Sequence, residues 1–162
     1  MKRGFGKLIS AVVGGSAGAV VGGAVVGNKL NQKLKDNQDF TKKIGSYYHL
    51  FNQWLSIRQS GKTLADYFVQ NEYKTVAIYG MKEFGERLYD ELRDTDVIVK
   101  YVIDKNADAI YTDVDVVTPE DTLEAVDVIV VTATYYFDEI EEMLMDKVDC
   151  PVVSLEDILY EM

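Results

Sequence analysis

The sequence predicts an α/β domain built on a parallel sheet, and three observations carry that prediction. Apolar runs of strand length recur at 76–79, 97–103, 114–117, 126–132 and 151–153. They are nearly continuous rather than alternating, which marks strands buried on both faces. Between them lie segments with helix-start signals or with apolar residues spaced three and four apart, so the pattern alternates β and α. Right-handed crossovers then give the strand order 3-2-1-4-5. The predicted domain occupies residues 73–162, after a basic segment and linker at 1–36 and a helical connector at 37–72.

Residues 8–27 read LISAVVGGSAGAVVGGAVVG, twenty residues without a charge. As a helix they would be about 30 Å long, the thickness of a bilayer core. Gly14, Gly18 and Gly22 recur every fourth residue, as do Gly15, Ala19, Gly23 and Gly27. Small residues at this spacing let membrane helices approach closely, so the segment is read as a homo-oligomerising membrane helix. It resembles the glycine-zipper membrane segments of bacterial proteins. An interfacial or self-associating soluble helix, a signal peptide and a disordered tail are the other readings. Lys29, Lys33, Lys35, Lys42 and Lys43 outnumber Lys2, Arg3 and Lys7, which places the globular part in the cytoplasm.

Residues 28–39 are polar, a helical extension or a linker. From 40 to 59 an amphipathic helix is expected, with Ile44, Tyr47, Tyr48, Phe51, Trp54, Leu55 and Arg58 on its apolar face and His49 beside it. Gly61 ends it. Thr63 and Asp66 have capping-box spacing and start a short helix over 64–69. The stretch 75–104 then reads strand, Gly80, turn, Gly85, helix, strand, Asp104. Phe84, Leu88 and Leu92 lie four apart on one face of that helix.

Further on, Thr118-Pro119-Glu120-Asp121 predicts a helix, with Thr at the N-cap and Pro in the first turn. Residues 126–132 form the most continuous apolar run and should be a central strand. Thr134 is expected to cap the next helix, whose inward residues are Phe137, Ile140, Met143 and Leu144. Ser154 caps a last helix carrying Ile158 and Leu159.

The βαβ unit is the context of a Rossmann-type dinucleotide fingerprint. Gly80 and Gly85 fill the first and third glycine roles, the tight turn and the close packing of helix on strand. Lys82 stands at the second, where backbone would approach a pyrophosphate. Ligands of open parallel sheets sit beyond the strand C-termini at the switch point. The candidate binding residues are therefore Gly80, Met81, Lys82, Gly85, Asp104, Lys105, Thr132, Thr134 and Tyr135. Helix amides, with or without Lys82, would hold an anion. Asp104 is spaced to accept from a ribose hydroxyl, and otherwise forms a turn. The two threonines and Tyr135 would line a sugar or base pocket, or cap a helix.

Composition excludes several classes. Residues 1–43 carry eight Lys/Arg against two Asp, and residues 44–162 nine against 25 acidic residues. So acidic a body repels phosphate backbones, and no nucleic-acid partner is expected. One cysteine, Cys150, permits no internal disulfide. One histidine, and no nucleophile–base pair or metal-ligand spacing, leave no catalytic residue and no metal site to name.

The segments VAIYGMKEFGERLYDEL and KYVIDKN resemble the N-terminal domain of bacterial sugar O-acyltransferases, small nucleotide-binding modules of cell-surface polysaccharide synthesis. Over about 90 residues the resemblance implies a Rossmann-like fold and recognition of a nucleotide or nucleotide-sugar. Lys82 departs from the family's glycine. The left-handed β-helix that performs acyl transfer is not in this sequence, so a non-catalytic accessory role is expected. The alternatives are an NAD(P)-dependent oxidoreductase and a structural oligomer assembled through the glycine stripes.

Overall fold

The computed structural model describes the backbone of residues 9–162 and side chains from residue 32 onward. The chain falls into two units, Met1–Gly45 and Ser46–Met162. One helix, α1, runs over Ile9–Gln59, so residues 28–39 are the helical extension rather than a linker. The small-residue stripes of 8–27 lie outside the residues whose side chains are described. Among the described residues, no helix is long and apolar enough to cross a membrane.

The second unit is an α/β domain. After α1 come α2 (Leu64–Gln70), β1 (Thr75–Tyr79), α3 (Glu83–Leu92), β2 (Ile98–Ile103), β3 (Asp115–Val117), β4 (Val128–Val131), α4 (Phe137–Met145), β5 (Val152–Ser154) and α5 (Leu155–Glu161). The five strands form one sheet in the order β3-β2-β1-β4-β5. Every pairing is parallel. Tyr79 is level with Ile103 on one side and with Val131 on the other. The next residues of these strands, Gly80, Asp104 and Thr132, thus emerge side by side at the C-terminal edge.

Strand residues alternate between two cores. Val76, Ile78, Val102, Val128 and Val130 pack under α2, α3 and α5 and the end of α1. Ala77, Tyr79, Tyr101, Ile103, Ile129 and Val131 face α4. Thr63 N–H donates to Asp66 Oδ2 (2.7 Å) at the start of α2. At α5, Glu156 N–H donates to Ser154 Oγ (3.2 Å), as the sequence predicts.

No helix follows Thr118. The Asp121 carboxylate accepts from the Thr118 amide and hydroxyl (2.7 and 2.9 Å), which makes a turn. The reason is length. Ten residues separate Val117 from Val128. They must pass over β2 and β1, about 14 Å at the usual strand spacing, and also return along the sheet. Ten helical residues span only about 15 Å, whereas extended chain reaches about 33 Å. Leu123 and Val126 of this loop cover the sheet where a helix would sit. Tyr101 fixes the loop by donating its hydroxyl to the Glu124 carbonyl (2.7 Å), and burial pushes its pKa up to about 12.

The packed face of α1 also differs from expectation. Leu50, Trp54 and Ile57 are buried, and Tyr47 and Trp54 set their rings against Phe84 at 5.0 and 6.3 Å. Ile44, Tyr48 and Leu55 stay exposed, as does half of Phe51. Glu91 of α3 selects this face. Its carboxylate accepts from Trp54 Nε1 (2.8 Å) and the Leu64 amide (2.7 Å) and pairs with Arg58 (3.2 Å). Of the other row, Tyr48 and Leu55 stay exposed, while the Phe51 ring still lies 5.7 Å from that of Phe84.

Candidate functional site

The C-terminal edge at the switch between β1 and β4 is built around Asp104. Its carboxylate is buried at 9 % exposure. Oδ2 accepts from the Met81 amide (3.0 Å) and Oδ1 from the Asn106 amide (2.9 Å). The residue expected to meet a ribose therefore first fixes two loops, the one after β1 and the one after β2. Each oxygen keeps a lone pair, so further acceptor capacity remains.

Gly80 turns the chain with φ +91°, a region that L side chains rarely adopt. Its carbonyl accepts from Thr132 Oγ1 (2.7 Å), and the same hydroxyl lies 3.1 Å from the Tyr79 carbonyl. A Cβ on Gly85 would stand 2.0 Å from that Gly80 oxygen, so only glycine lets α3 start this close to the turn. Both glycines thus hold the roles the sequence assigns them, and Thr132 closes the turn from β4.

Lys82 is the N-cap residue of α3, with extended backbone and no side-chain cap bond. The first-turn amides of α3 are left without a side-chain acceptor from this cap, next to an exposed ammonium. Glu83 and Glu86 in the same turn complement the helix dipole and compete with an incoming anion. Lys105 is exposed beyond Asp104. Thr134 caps no helix. It is buried in a 3₁₀ turn, Thr134–Tyr136, and α4 begins after Tyr136 with no side-chain cap. Tyr135 and Tyr136 lie half-exposed with ring centroids 5.3 Å apart.

Two features escape sequence reading. Tyr79 ends β1 with its hydroxyl buried and unpartnered among the described residues. Burial raises its pKa, and Asp104 and Glu120 add to the rise. A residue ending a strand just before the glycine turn is the signal that could have found it. The second is a cleft of about 730 Å³ between α3 and the β2–β3 connection, lined by Met81, Glu86, Arg87, Asp90, Tyr111 and Asp113 among others. It has the volume of a small-molecule site, but of the predicted residues only Met81 reaches it. Arg87 there lies 3.5 Å from Glu86 and 3.3 Å from Asp90, so its charge is already balanced. Among the described residues no group of His, Cys, Asp and Glu could hold a metal ion.

Fold and edge geometry define an α/β module with a five-stranded parallel sheet and a glycine turn at its switch point. No family model, curated protein or solved structure matches the chain.

Proposed function

We propose that this chain is a membrane-tethered Rossmann-like module that binds a nucleotide or nucleotide-sugar. Its role is that of a non-catalytic accessory protein in bacterial cell-surface polysaccharide synthesis. The observation that carries the reading is the fastening of the Met81 amide to Asp104 beside the uncapped start of α3. This preorganises the turn at the place where open parallel sheets take their ligands. Amides of α3 and Lys82 would receive phosphate. Asp104 would accept from a sugar hydroxyl with its remaining lone pairs, and Tyr135 would offer an aromatic face. The uncharged residues 8–27 would anchor the chain and assemble it, with the acidic domain on the cytoplasmic side.

The test is calorimetry of the full chain with NAD, NADP, UDP and a panel of UDP-sugars. Saturable binding of a UDP compound, weakened by Lys82→Glu and by Asp104→Ala, supports the reading. Binding and turnover of NAD(P) would replace it with the oxidoreductase alternative, and no binding by any of them would sink it. Carbonate-washed membranes should retain the full-length protein. Recovery as a soluble monomer would remove the membrane anchor.

A further inference from the structure

We propose that the open edge of β5 takes up an extended, basic segment of a partner protein as a further strand of the sheet. β5 is the last strand at its end of the sheet and pairs with β4 alone. Ile129 N–H donates to the Pro151 carbonyl (2.9 Å). In a parallel ladder alternate residues bond to the same neighbour, so Pro151 and Val153 turn toward β4, and Val152 turns its N–H and C=O outward. An edge in this state is a template for another strand. Here it forms the floor of a groove of about 380 Å³. Val152 packs with the core on the α4 side and Val153 with the core under α5, so the two helices wall the groove. Phe137 lines it from α4, Tyr67 from α2 and Tyr160, 59 % exposed, from α5.

Charge selects the occupant. Glu141 on the α4 wall and Asp157 and Glu161 on the α5 wall line the same groove. None of the three has a cationic partner among the described residues. The Tyr67 phenol registers two of them: burial raises its pKa, and Glu161 and Asp157 add to the rise. A strand carrying Lys or Arg would meet these carboxylates, and its apolar side chains would lie on the aromatic rings. Main-chain bonds would give affinity and the walls specificity. β5 is three residues long, so the ladder alone would hold weakly and the side-chain contacts must add to it. A second copy is disfavoured, because it would bring its own three carboxylates against these. The groove shares no residue with the switch-point edge of Gly80, Asp104 and Thr132, so this surface is independent of nucleotide binding.

The probe is a blocked peptide repeating Lys-Lys-Val-Val, which puts cations and apolar side chains on both of its faces. Titrated into the full-length protein and followed by fluorescence anisotropy, it should bind saturably, and a Glu-Glu-Val-Val peptide should not. Glu141→Lys with Glu161→Lys should weaken binding roughly tenfold, since two attractions become repulsions. Val152→Pro should abolish it, because it removes the outward N–H and leaves the bonds to β4 in place. Two peptides N-methylated on alternate amides, one along each edge, test the ladder without altering the protein. One should bind like the parent and the other should not. No binding of the parent, equal binding of the acidic peptide, or equal behaviour of the two methylated peptides overturns the proposal. Dimers abolished by Val152→Pro would give the edge to a second copy. Tighter binding of a peptide of residues 1–8 would give it to the chain's own basic terminus. Either result also overturns the partner assignment. Nucleotide binding by the double lysine variant reads the ligand proposal separately.

Discussion

The two ends of the parallel sheet are each fastened by an aspartate, and they use it differently. At the N-terminal edge Asp127 Oδ2 accepts three bonds, from the Lys74 amide (2.8 Å), the Thr75 amide (2.8 Å) and the Thr75 hydroxyl (2.9 Å). The Asp127 amide donates back to the Thr75 hydroxyl (3.0 Å). This is a closed, exposed exchange that ties the start of β1 to the start of β4. At the C-terminal edge Asp104 is buried, and each oxygen takes one amide from a different loop. At this edge spare acceptor capacity lies beside the uncapped start of α3. The contrast teaches that the same side chain ties two strand starts together at one end and holds two loops together at the other.

The largest break in that contrast should come from Gly85→Ala. The new Cβ meets backbone, the Gly80 carbonyl, at 2.0 Å, and backbone yields less readily than a flexible side chain. A loss of about 3 kcal/mol is expected from such overpacking, or roughly 10 °C in Tm for a domain of this size. A Tm within a degree or so of wild type would show that α3 can slide away from the turn. Next comes Asp104→Ala, which strands the Met81 and Asn106 amides at a buried position. Its expected cost is about 2 kcal/mol, read from urea unfolding. Asp104→Asn, which keeps one acceptor, should fall between. If the alanine variant is as stable as wild type, Asp104 is not the fastener described.

Much of this was legible in the sequence, and the failures share a cause. Strands β1 and β4 announce themselves because both of their faces are buried, and β2 because its second half is. The glycine turn and Asp104 emerge at one edge because spacing along a βαβ unit fixes where its strands end. Thr118-Pro119-Glu120-Asp121 misled because local capping chemistry says nothing of the distance the chain must then cover. On α1 two apolar rows lie side by side, and pattern alone could not say which one Glu91 would draw inward. Asp104 on amides rather than on a ligand, and Thr132 on the Gly80 carbonyl, depend on rotamers that no spacing encodes.

The smallest predicted effect sharpens the comparison from the other end of the sheet. The amides of Thr75 and Lys74 and the Thr75 hydroxyl hold the Asp127 carboxyl below its ordinary pKa. A depressed folded value means that the unfolded chain binds the proton first as pH falls. The contribution is therefore present above the ordinary carboxyl range and is lost on acidification toward the lowered value. Because Asp127 is exposed, water competes for its bonds, so the effect should be smaller than that of Asp104→Ala. Urea midpoints measured from about pH 6 to about pH 3 span the ordinary titration of carboxyls. Asp127→Asn should start below wild type and lose less across that window, since it has no proton to gain. All other carboxyls are common to both proteins, so the difference between the two curves isolates Asp127. Parallel curves would mean that its bonds are no stronger in the folded chain than those water offers.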